Sequence, residues 1–219
     1  MNNLLTPEEK QHILEELEAG NPLIHRFYAA LRHRVKQRTA SPGFLDASAD
    51  VPWWYPAAEY LSDAAMVYAL SPEESLAAWV REVTLGIIRR PLSDWIGPWF
   101  RDHATHPPLG HLETAHLCWG IGAVLDLAND IFTATELTEV KTGLHEKGML
   151  LCQHWLEDHS HLANWRGIMA SGLAVSAAVL EDQSALSFAI NQLKLCYQAF
   201  QPDGSYAESL QYGNYLSFA

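Results

Sequence analysis

No stretch of this sequence alternates apolar and polar residues in the way that a half-buried β-strand does. Val, Ile and Thr are scattered along the chain rather than clustered in alternating runs, and such runs are the usual mark of a strand. Two segments instead carry a helix start signal, with a hydroxyl residue before Pro and a Glu at the third helical position. They are Thr6-Pro7-Glu8-Glu9 and Ser71-Pro72-Glu73-Glu74. The sequence therefore predicts an all-α fold.

Apolar periodicity and breaker residues divide the rest of the chain. Helices are predicted over residues 7–19, 22–37, 57–69, 72–89, 111–129, 136–156, 164–181 and 184–200, and irregular structure over 42–56 and 91–110. Helices of similar length with short polar links suit a flat bundle, a solenoid or a ring of helical hairpins. No strict repeat is visible. We therefore expect residues 1–219 to form one helical domain, an incomplete α/α toroid of antiparallel hairpins.

Charge narrows the possible partners. The chain has 14 basic and 26 acidic residues, a net charge of −12, which disfavours binding to nucleic acid or to an anionic membrane. No apolar run of about 18 residues predicts a membrane span. The first ten residues do not resemble a secretory signal, so the cytoplasm is the default location. A periplasmic or secreted location would apply if a signal had been removed.

Cysteines and histidines predict no metal site and no cofactor. Cys118, Cys152 and Cys196 are widely spaced within apolar helical patterns, so we expect buried free thiols. No His-Glu-x-x-His pattern occurs. His111 and His116 are five residues apart, which places them on different helix faces.

One group of candidate functional residues precedes and opens the helix predicted from residue 164. Asn164 there can donate an amide hydrogen bond to a substrate carboxylate, and Arg166 can pair with it. His161 and Trp165 lie beside them in the sequence, and we call these four residues the Asn164 group. The alternative is structural, because Asn is a common helix cap and His and Trp are ordinary at packed helix starts.

A second group follows the turn signal Pro202-Asp203-Gly204. Glu208, Tyr212 and Tyr215 have the spacing i, i+4, i+7, which places all three on one face of a helix. A carboxylate and two phenols there can exchange protons with a hydroxylated substrate. The alternative is a helix whose tyrosines pack inward with their hydroxyl groups bonded.

Tryptophans in proline-rich segments form a third group. Trp53, Trp54, Trp95 and Trp99 all lie in stretches predicted to be irregular, where an indole ring can stack on the apolar face of a sugar. The alternative is that these rings anchor loops or belong to the core.

Together, these motifs resemble the heparinase II/III family of polysaccharide lyases. The resemblance rests on Asn164-Trp165-Arg166-Gly167-Ile168 and its small-residue helix, on Asp203-Gly204-Ser205-Tyr206-Ala207-Glu208 with Tyr212-x-x-Tyr215, and on the helix from His111 to Leu127. It covers about residues 110–219. One departure is Trp165, because many members have His directly after the Asn or in its place, and His161 is the candidate stand-in.

The resemblance implies an N-terminal α/α toroid followed by a β-sandwich domain that is absent from this chain. It implies β-elimination on an acidic polysaccharide such as alginate or a glycosaminoglycan. Asn164 or Arg166 would neutralise the uronate carboxylate, and Tyr212 or Tyr215 would act as base, acid or both. Trp53, Trp54, Trp165 and Glu208 would contact the substrate. Further catalytic groups would come from the sandwich, so the chain alone is expected to be nearly inactive.

Two other functions are compatible with the sequence. A glycoside hydrolase on a helical toroid would require two carboxylates facing each other across a cleft, whereas Glu208 is the one obvious carboxylate in the motif. A non-catalytic carbohydrate-binding or scaffold module would bind saccharide without needing Tyr212 or Tyr215.

Overall fold

The computed structural model describes residues 3–40, 54–96, 106–160, 162 and 164–199. Within these ranges every regular element is helical, so the all-α prediction is confirmed. The helices are α1 (Pro7–Glu18), α2 (Pro22–Thr39), α3 (Trp54–Leu70), α4 (Glu74–Ile88), α5 (Leu92–Ile96), α6 (Leu112–Leu127), α7 (Ala134–Leu144), α8 (Leu150–Asp158), α9 (Asn164–Leu180) and α10 (Gln183–Cys196). Asn129–Ile131 and Tyr197–Ala199 form 3₁₀ turns, and His145–Met149 forms a π turn. None of the helices described is both long and apolar enough to span a membrane.

The chain divides into two compact units, of which the first comprises Met1–Arg90 and Gly120–Thr142. Consecutive helices pack side by side in it, α1 on α2, α2 on α3 and α3 on α4. The predicted start of α1 is confirmed in atomic detail. Thr6 Oγ1 accepts a hydrogen bond from the Glu9 N–H at 3.2 Å, and Glu9 Oε2 accepts one from the Thr6 N–H at 2.9 Å. This reciprocal pair satisfies two backbone donors that a helix start otherwise leaves free.

The second unit comprises Pro91–Trp119 and Gly143–Ala219. In it α8 packs on α9 and α9 packs on α10, and the π turn contacts both α8 and α9. Its core is formed by large apolar side chains with almost no exposure, among them Trp95, Leu117, Leu144, Met149, Leu151, Trp155, Met169 and Leu173. This unit contains the residues of the Asn164 group.

The predicted start of the helix after Ser71 is wrong. The Ser71 N–H still donates to the carbonyl oxygen of Val67 at 2.8 Å, so Ser71 completes the last turn of α3 instead of capping α4. Helix α4 begins at Glu74, after an extended Glu73 that makes no side-chain capping bond. Because Ser71 belongs to the last turn of α3, it does not act as the N-cap of α4.

Two tryptophan-containing segments also differ from prediction. Helix α3 begins at Trp54, within the stretch predicted to be a loop, because Pro56 lies in its first turn where proline is tolerated. Trp95 is not a loop residue available to a sugar, since it lies in the short helix α5 and its side chain is fully buried. Trp53 and Trp99 lie outside the described residues.

The single helix predicted over 136–156 is interrupted. Helix α7 passes through the π turn into α8, and Gly148 lies at the tightest contact of that turn. A Cβ on Gly148 would come 2.6 Å from Cys118 Sγ. Cys118 and Cys152 are buried free thiols as expected, with their sulfur atoms 4.0 Å apart, whereas Cys196 is only half-buried.

Helices α6 and α9 contact each other through small residues. A Cβ on Gly172 would lie 2.7 Å from Ala115 Cα, so the helices approach closely only because Gly172 has no side chain. Closer to the start of both helices, the rings of His111 and Trp165 meet edge to face with centroids 5.7 Å apart. Both contacts advance from N to C along each helix, so α6 and α9 run in the same direction and start at the same end of this unit.

Two glycines of α9 are expected to respond oppositely to the same change. Gly172→Ala should destabilise the protein by about 1–3 kcal/mol, the usual cost of overpacking a close contact. A Cβ on Gly167 would meet only Cys196 Sγ at 3.8 Å, so Gly167→Ala should stabilise by about 0.5–1 kcal/mol through helix propensity. Urea unfolding of both variants measures the difference. Equal effects in the two variants would contradict the close α6–α9 contact.

Candidate functional site

The start of α9 lies where the sequence predicts it, at Asn164. The Asn164 Oδ1 atom is buried and accepts no hydrogen bond, although a buried amide oxygen without a partner costs about 1–3 kcal/mol. Because a half-turn about χ2 exchanges Oδ1 and Nδ2, this unfilled position can present either an acceptor or a donor N–H. The first residue of α9 therefore has a free hydrogen-bonding position at the positive end of a helix.

Arg166, two residues further along α9, is already engaged by the protein. Its side chain is only 3% exposed, and its guanidinium donates to the backbone carbonyl of His159 and to the side-chain oxygen of Gln192. These bonds tie the segment before α9 to α10. Arg166 therefore acts in this structure as a clamp, and its predicted contact with a substrate carboxylate stays a prediction.

The Arg166 clamp should contribute measurably to stability. Arg166→Met keeps most of the apolar stem but removes the donors to His159 and Gln192, so a loss of about 2–3 kcal/mol is expected, typical of hydrogen bonds from a charged group. Arg26→Met is a matched control, because Arg26 is exposed on α2 and a surface change should stay within about 0.5 kcal/mol. Chemical denaturation compares the two. Equal losses in both variants would contradict the clamp.

Aromatic rings surround the start of α9. Trp155 stacks on His159 with centroids 4.4 Å apart and planes inclined by 9°, and the His159 ring is fixed by a 3.0 Å bond between its Nδ1 and the Trp155 carbonyl oxygen. Trp165 lies 6.1 Å from Trp155, centroid to centroid. The ring of His111 meets Trp165 on another side. Trp165 is therefore held between the end of α8 and the start of α6.

Two helix starts meet at this end of the second unit. Because α6 and α9 are parallel neighbours, their unpaired backbone N–H groups and positive dipole ends lie on the same side. An anionic group bound there would be stabilised by both helices. This is the electrostatic setting that a neutraliser of a carboxylate needs.

A residue that the sequence reasoning missed lies in the first turn of α6. Glu113 is 3% exposed, and its Oε2 atom accepts no hydrogen bond. Burial raises the pKa of Glu113 above its ordinary value, against a smaller opposing effect from a hydrogen bond with its own backbone. Burial also lowers the pKa of His116, one turn further on the same face. Burial thus favours the uncharged form of each group, and shifted pKa values of this kind are common in functional sites.

Stability should depend on pH through Glu113. Because the folded-state pKa is raised, the stabilising contribution of the protonated group is full at low pH and is lost as pH rises through that pKa. Glu113→Gln, which stays neutral, should match the wild type at low pH and become the more stable protein as pH rises above 4.5, the ordinary value for a glutamate. Urea unfolding at several pH values tests this, with the exposed Glu146→Gln as control. A difference that does not change with pH would contradict it.

The remaining predicted site residues lie outside the described part of the chain. They are Glu208, Tyr212, Tyr215, His161 and Trp53. The prediction that Asn164 and Tyr212 approach each other therefore stays a prediction. Within the Asn164 group, the described structure places the ring of Trp165 against those of His111 and Trp155.

No protein-family model matches the sequence, and a search of curated proteins finds no match.

Proposed function

We propose that this chain is the toroid segment of a polysaccharide lyase of the heparinase II/III kind, which cleaves a uronate-containing polymer by β-elimination. The observation that carries the proposal is the buried amide of Asn164, with an unfilled hydrogen-bonding position at the start of α9. A uronate carboxylate has the charge and the acceptors to fill it. The reaction is proposed from the motif resemblance. The geometry of Asn164 supports one requirement of that reaction, a hydrogen-bonding position for the uronate carboxylate.

The chemistry of elimination explains why such an amide matters. The C5 proton of a uronate is a poor acid until the adjacent carboxylate is neutralised by hydrogen bonding or charge. A donor N–H of Asn164, together with the positive ends of α6 and α9, would provide that neutralisation. Because Arg166 is already bonded to His159 and Gln192, we assign it to positioning α9 and assign neutralisation to Asn164.

The remaining roles are proposed from the motif. Tyr212 would remove the C5 proton and return a proton to the departing O4 oxygen, with Tyr215 as the second candidate. His161 would assist Asn164, and Trp165, Glu208, Trp53 and Trp54 would contact the sugar chain. The partner is an acidic polysaccharide, and completion of the active site by a β-sandwich domain follows from the family resemblance.

The toroid proposal has support of its own. In an α/α toroid, helices of one layer run parallel to each other and alternate along the chain with antiparallel helices of the other layer. Helices α6 and α9 are parallel neighbours, and α8 connects to α9 by the short segment after Asp158. That alternation within one unit favours hairpins arranged in two layers over a flat bundle.

The first test is binding of a single uronate to this chain. Glucuronate titrated into the protein should shift the side-chain amide resonances of Asn164 in nuclear magnetic resonance spectra. Glucose should not, because it lacks the carboxylate. Equal shifts with glucose and glucuronate would refute the proposed carboxylate position.

The second test separates the three candidate functions. If the lyase proposal holds, a protein that contains this chain should release from uronate polymers products with the ultraviolet absorbance of an unsaturated uronate. New reducing ends without that absorbance would indicate a hydrolase. Binding without either product would indicate a carbohydrate-binding module.

A further inference from the structure

Helices α1 and α2 contribute little to the core of the first unit. None of the 12 residues of α1 is buried, and of the 18 residues of α2 only Val35 is buried. A helix of a globular protein normally buries an apolar stripe against its neighbours. The outer surface of these two helices, which we call the α1–α2 face, is therefore a candidate for contact with another chain.

Two large apolar side chains of α2 are exposed on this face. Leu23 is 60% exposed and Phe27 is 67% exposed, and their spacing of four residues places them side by side on the helix. Single exposed apolar residues are ordinary on a protein surface. Two neighbouring ones on a helix that buries so little form a surface that association would remove from water.

The two helices carry opposite charges. Helix α1 has five Glu and one Lys, whereas α2 has four Arg, one Lys and no acidic residue, although the chain as a whole has a net charge of −12. Part of the basic charge holds α2 in place, because Arg34 and Arg38 both pair with Asp63 of α3. Among the described residues, no acidic side chain pairs with Arg26 or Lys36. These two cations are available to a partner.

Exposed charged and ionisable residues form two stripes of equal length on the α1–α2 face. The acidic stripe on α1 is Glu8, Glu15 and Glu18, and the basic stripe on α2 is Arg26, His33 and Lys36, all of them exposed. Both stripes have the spacing i, i+7, i+10, which keeps each stripe on one side of its helix. Each extends over roughly 15 Å, given the rise of about 1.5 Å per helical residue. An acidic and a basic surface of matching length therefore belong to the same face.

We propose that a second copy of this chain covers the α1–α2 face, with α1 of each copy against α2 of the other. In a two-fold symmetric dimer, a contact of residue i with residue j is repeated as a contact of j with i. A face that has one acidic and one basic helix is therefore complementary to itself, and both contacts pair opposite charges. A uniformly acidic partner would instead place like charges against α1.

Apolar residues beside the stripes complete the match. Leu14 of α1 is only half-buried and lies one helical turn before Glu18 of the acidic stripe. On α2, Leu23 lies one turn before Arg26 of the basic stripe. Apolar side chains thus flank the charges on both helices, so Leu23 and Phe27 of one copy can pack on Leu14 of the other.

The dimer does not depend on the proposed lyase function. Helices α1 and α2 belong to the first unit, whereas Asn164 belongs to the second. None of the residues of the α1–α2 face is a proposed site residue. Self-association and the response of Asn164 to glucuronate are therefore separate results, and either proposal can fail without the other.

The first test measures the mass of this chain in solution by sedimentation equilibrium. Over protein concentrations from about 1 µM to about 1 mM, the range in which weak complexes dissociate, the mass should rise from 24.5 kDa toward twice that value. Phe27→Ser should hold the mass near that of the monomer. The control Ile190→Ser, which removes a side chain of 42% exposure from α10, should dimerise like the wild type. Unfolding measured where the monomer predominates is unaffected by this contact, so Arg26→Met stays a valid control for the Arg166 clamp.

The second test reverses the charge of one stripe at a time. One variant combines Arg26→Glu with Lys36→Glu, and the other combines Glu15→Lys with Glu18→Lys. Each variant alone should be monomeric, because like charges then meet at both contacts. An equimolar mixture of the two should restore the dimer, because every stripe again meets the opposite charge. One chain with all four substitutions should dimerise for the same reason, and circular dichroism of each variant checks that its helices remain.

Three results would overturn the proposal. The mass of the monomer at every concentration of the wild type would show that no second copy covers the α1–α2 face. Dimers of unchanged affinity in both charge variants would place the contact elsewhere on the surface. If the mixture and the chain with four substitutions both stay monomeric while their helices are intact, α1 does not meet α2 of the other copy.

Discussion

Replacing Tyr212 with Phe is expected to lower eliminative cleavage by roughly 10²–10⁴-fold, the usual contribution of a general acid–base group, if the proposed lyase function holds. Phe keeps the ring and loses only the phenolic oxygen, which is the atom that exchanges the proton. A phenol with an ordinary pKa near 10 is mostly protonated at neutral pH, so the base must act beside a positive group. In the proposed lyase, the helix starts of α6 and α9 would supply that positive group.

The companion variant Tyr215→Phe decides between the two tyrosines. If Tyr212 is the acid–base group, Tyr215→Phe should keep most activity, and the folded fraction of both variants should match the wild type by circular dichroism. Loss of activity in Tyr215→Phe with none in Tyr212→Phe would transfer the role to Tyr215. Full activity in both variants would refute the lyase interpretation of this motif.

Local signals in the sequence predict much of the helical structure. The Thr6 capping box and the start of α9 at Asn164 depend on residues within one helical turn, and both are confirmed. The helix start predicted after Ser71 is wrong for a physical reason, because the Ser71 N–H is bonded within the last turn of α3. The local sequence around Ser71 does not reveal that this residue already belongs to the preceding helix.

Features that depend on packing could not be predicted in this way. The π turn around Gly148 and the close approach of Gly172 to Ala115 each require knowing which helix lies opposite. The prolines around Trp95 predict a loop, yet the core of the second unit buries its side chain completely. Burial is a property of the folded chain, and local sequence gives it only as an average tendency.

The candidate site shows the same division between local and tertiary information. Asn164 could be singled out because its position at a helix start is local. The clamping of Arg166 by His159 and Gln192 is tertiary, as is the burial that raises the pKa of Glu113. A Glu and a His three residues apart on an apolar helix were the available signal for Glu113 and His116. That spacing alone does not distinguish a buried pair from an exposed one.

Replacing Asn164 with Ala should lower eliminative cleavage by roughly 10²–10³-fold, the cost of losing one donor that stabilises charge developing in the transition state. Stability should change little or increase slightly, because the variant also removes a buried oxygen that has no partner. A loss of activity without a loss of stability is what distinguishes a substrate-contacting residue from a helix cap, whose removal typically costs about 1 kcal/mol.

Two further variants make the Asn164 prediction specific. Asn164→Asp keeps the size of the side chain but introduces a negative charge that repels a uronate carboxylate, so its loss of activity should exceed that of Asn164→Ala. Asn129→Ala, at the exposed first residue of a 3₁₀ turn in the other unit, should leave activity unchanged. If Asn164→Ala is destabilised by about 1 kcal/mol or more and keeps its activity, Asn164 is a cap and the proposed carboxylate position is wrong. If Asn164→Asp is as active as the wild type, the group bound at the start of α9 is not an anion, because no anion would tolerate a carboxylate there.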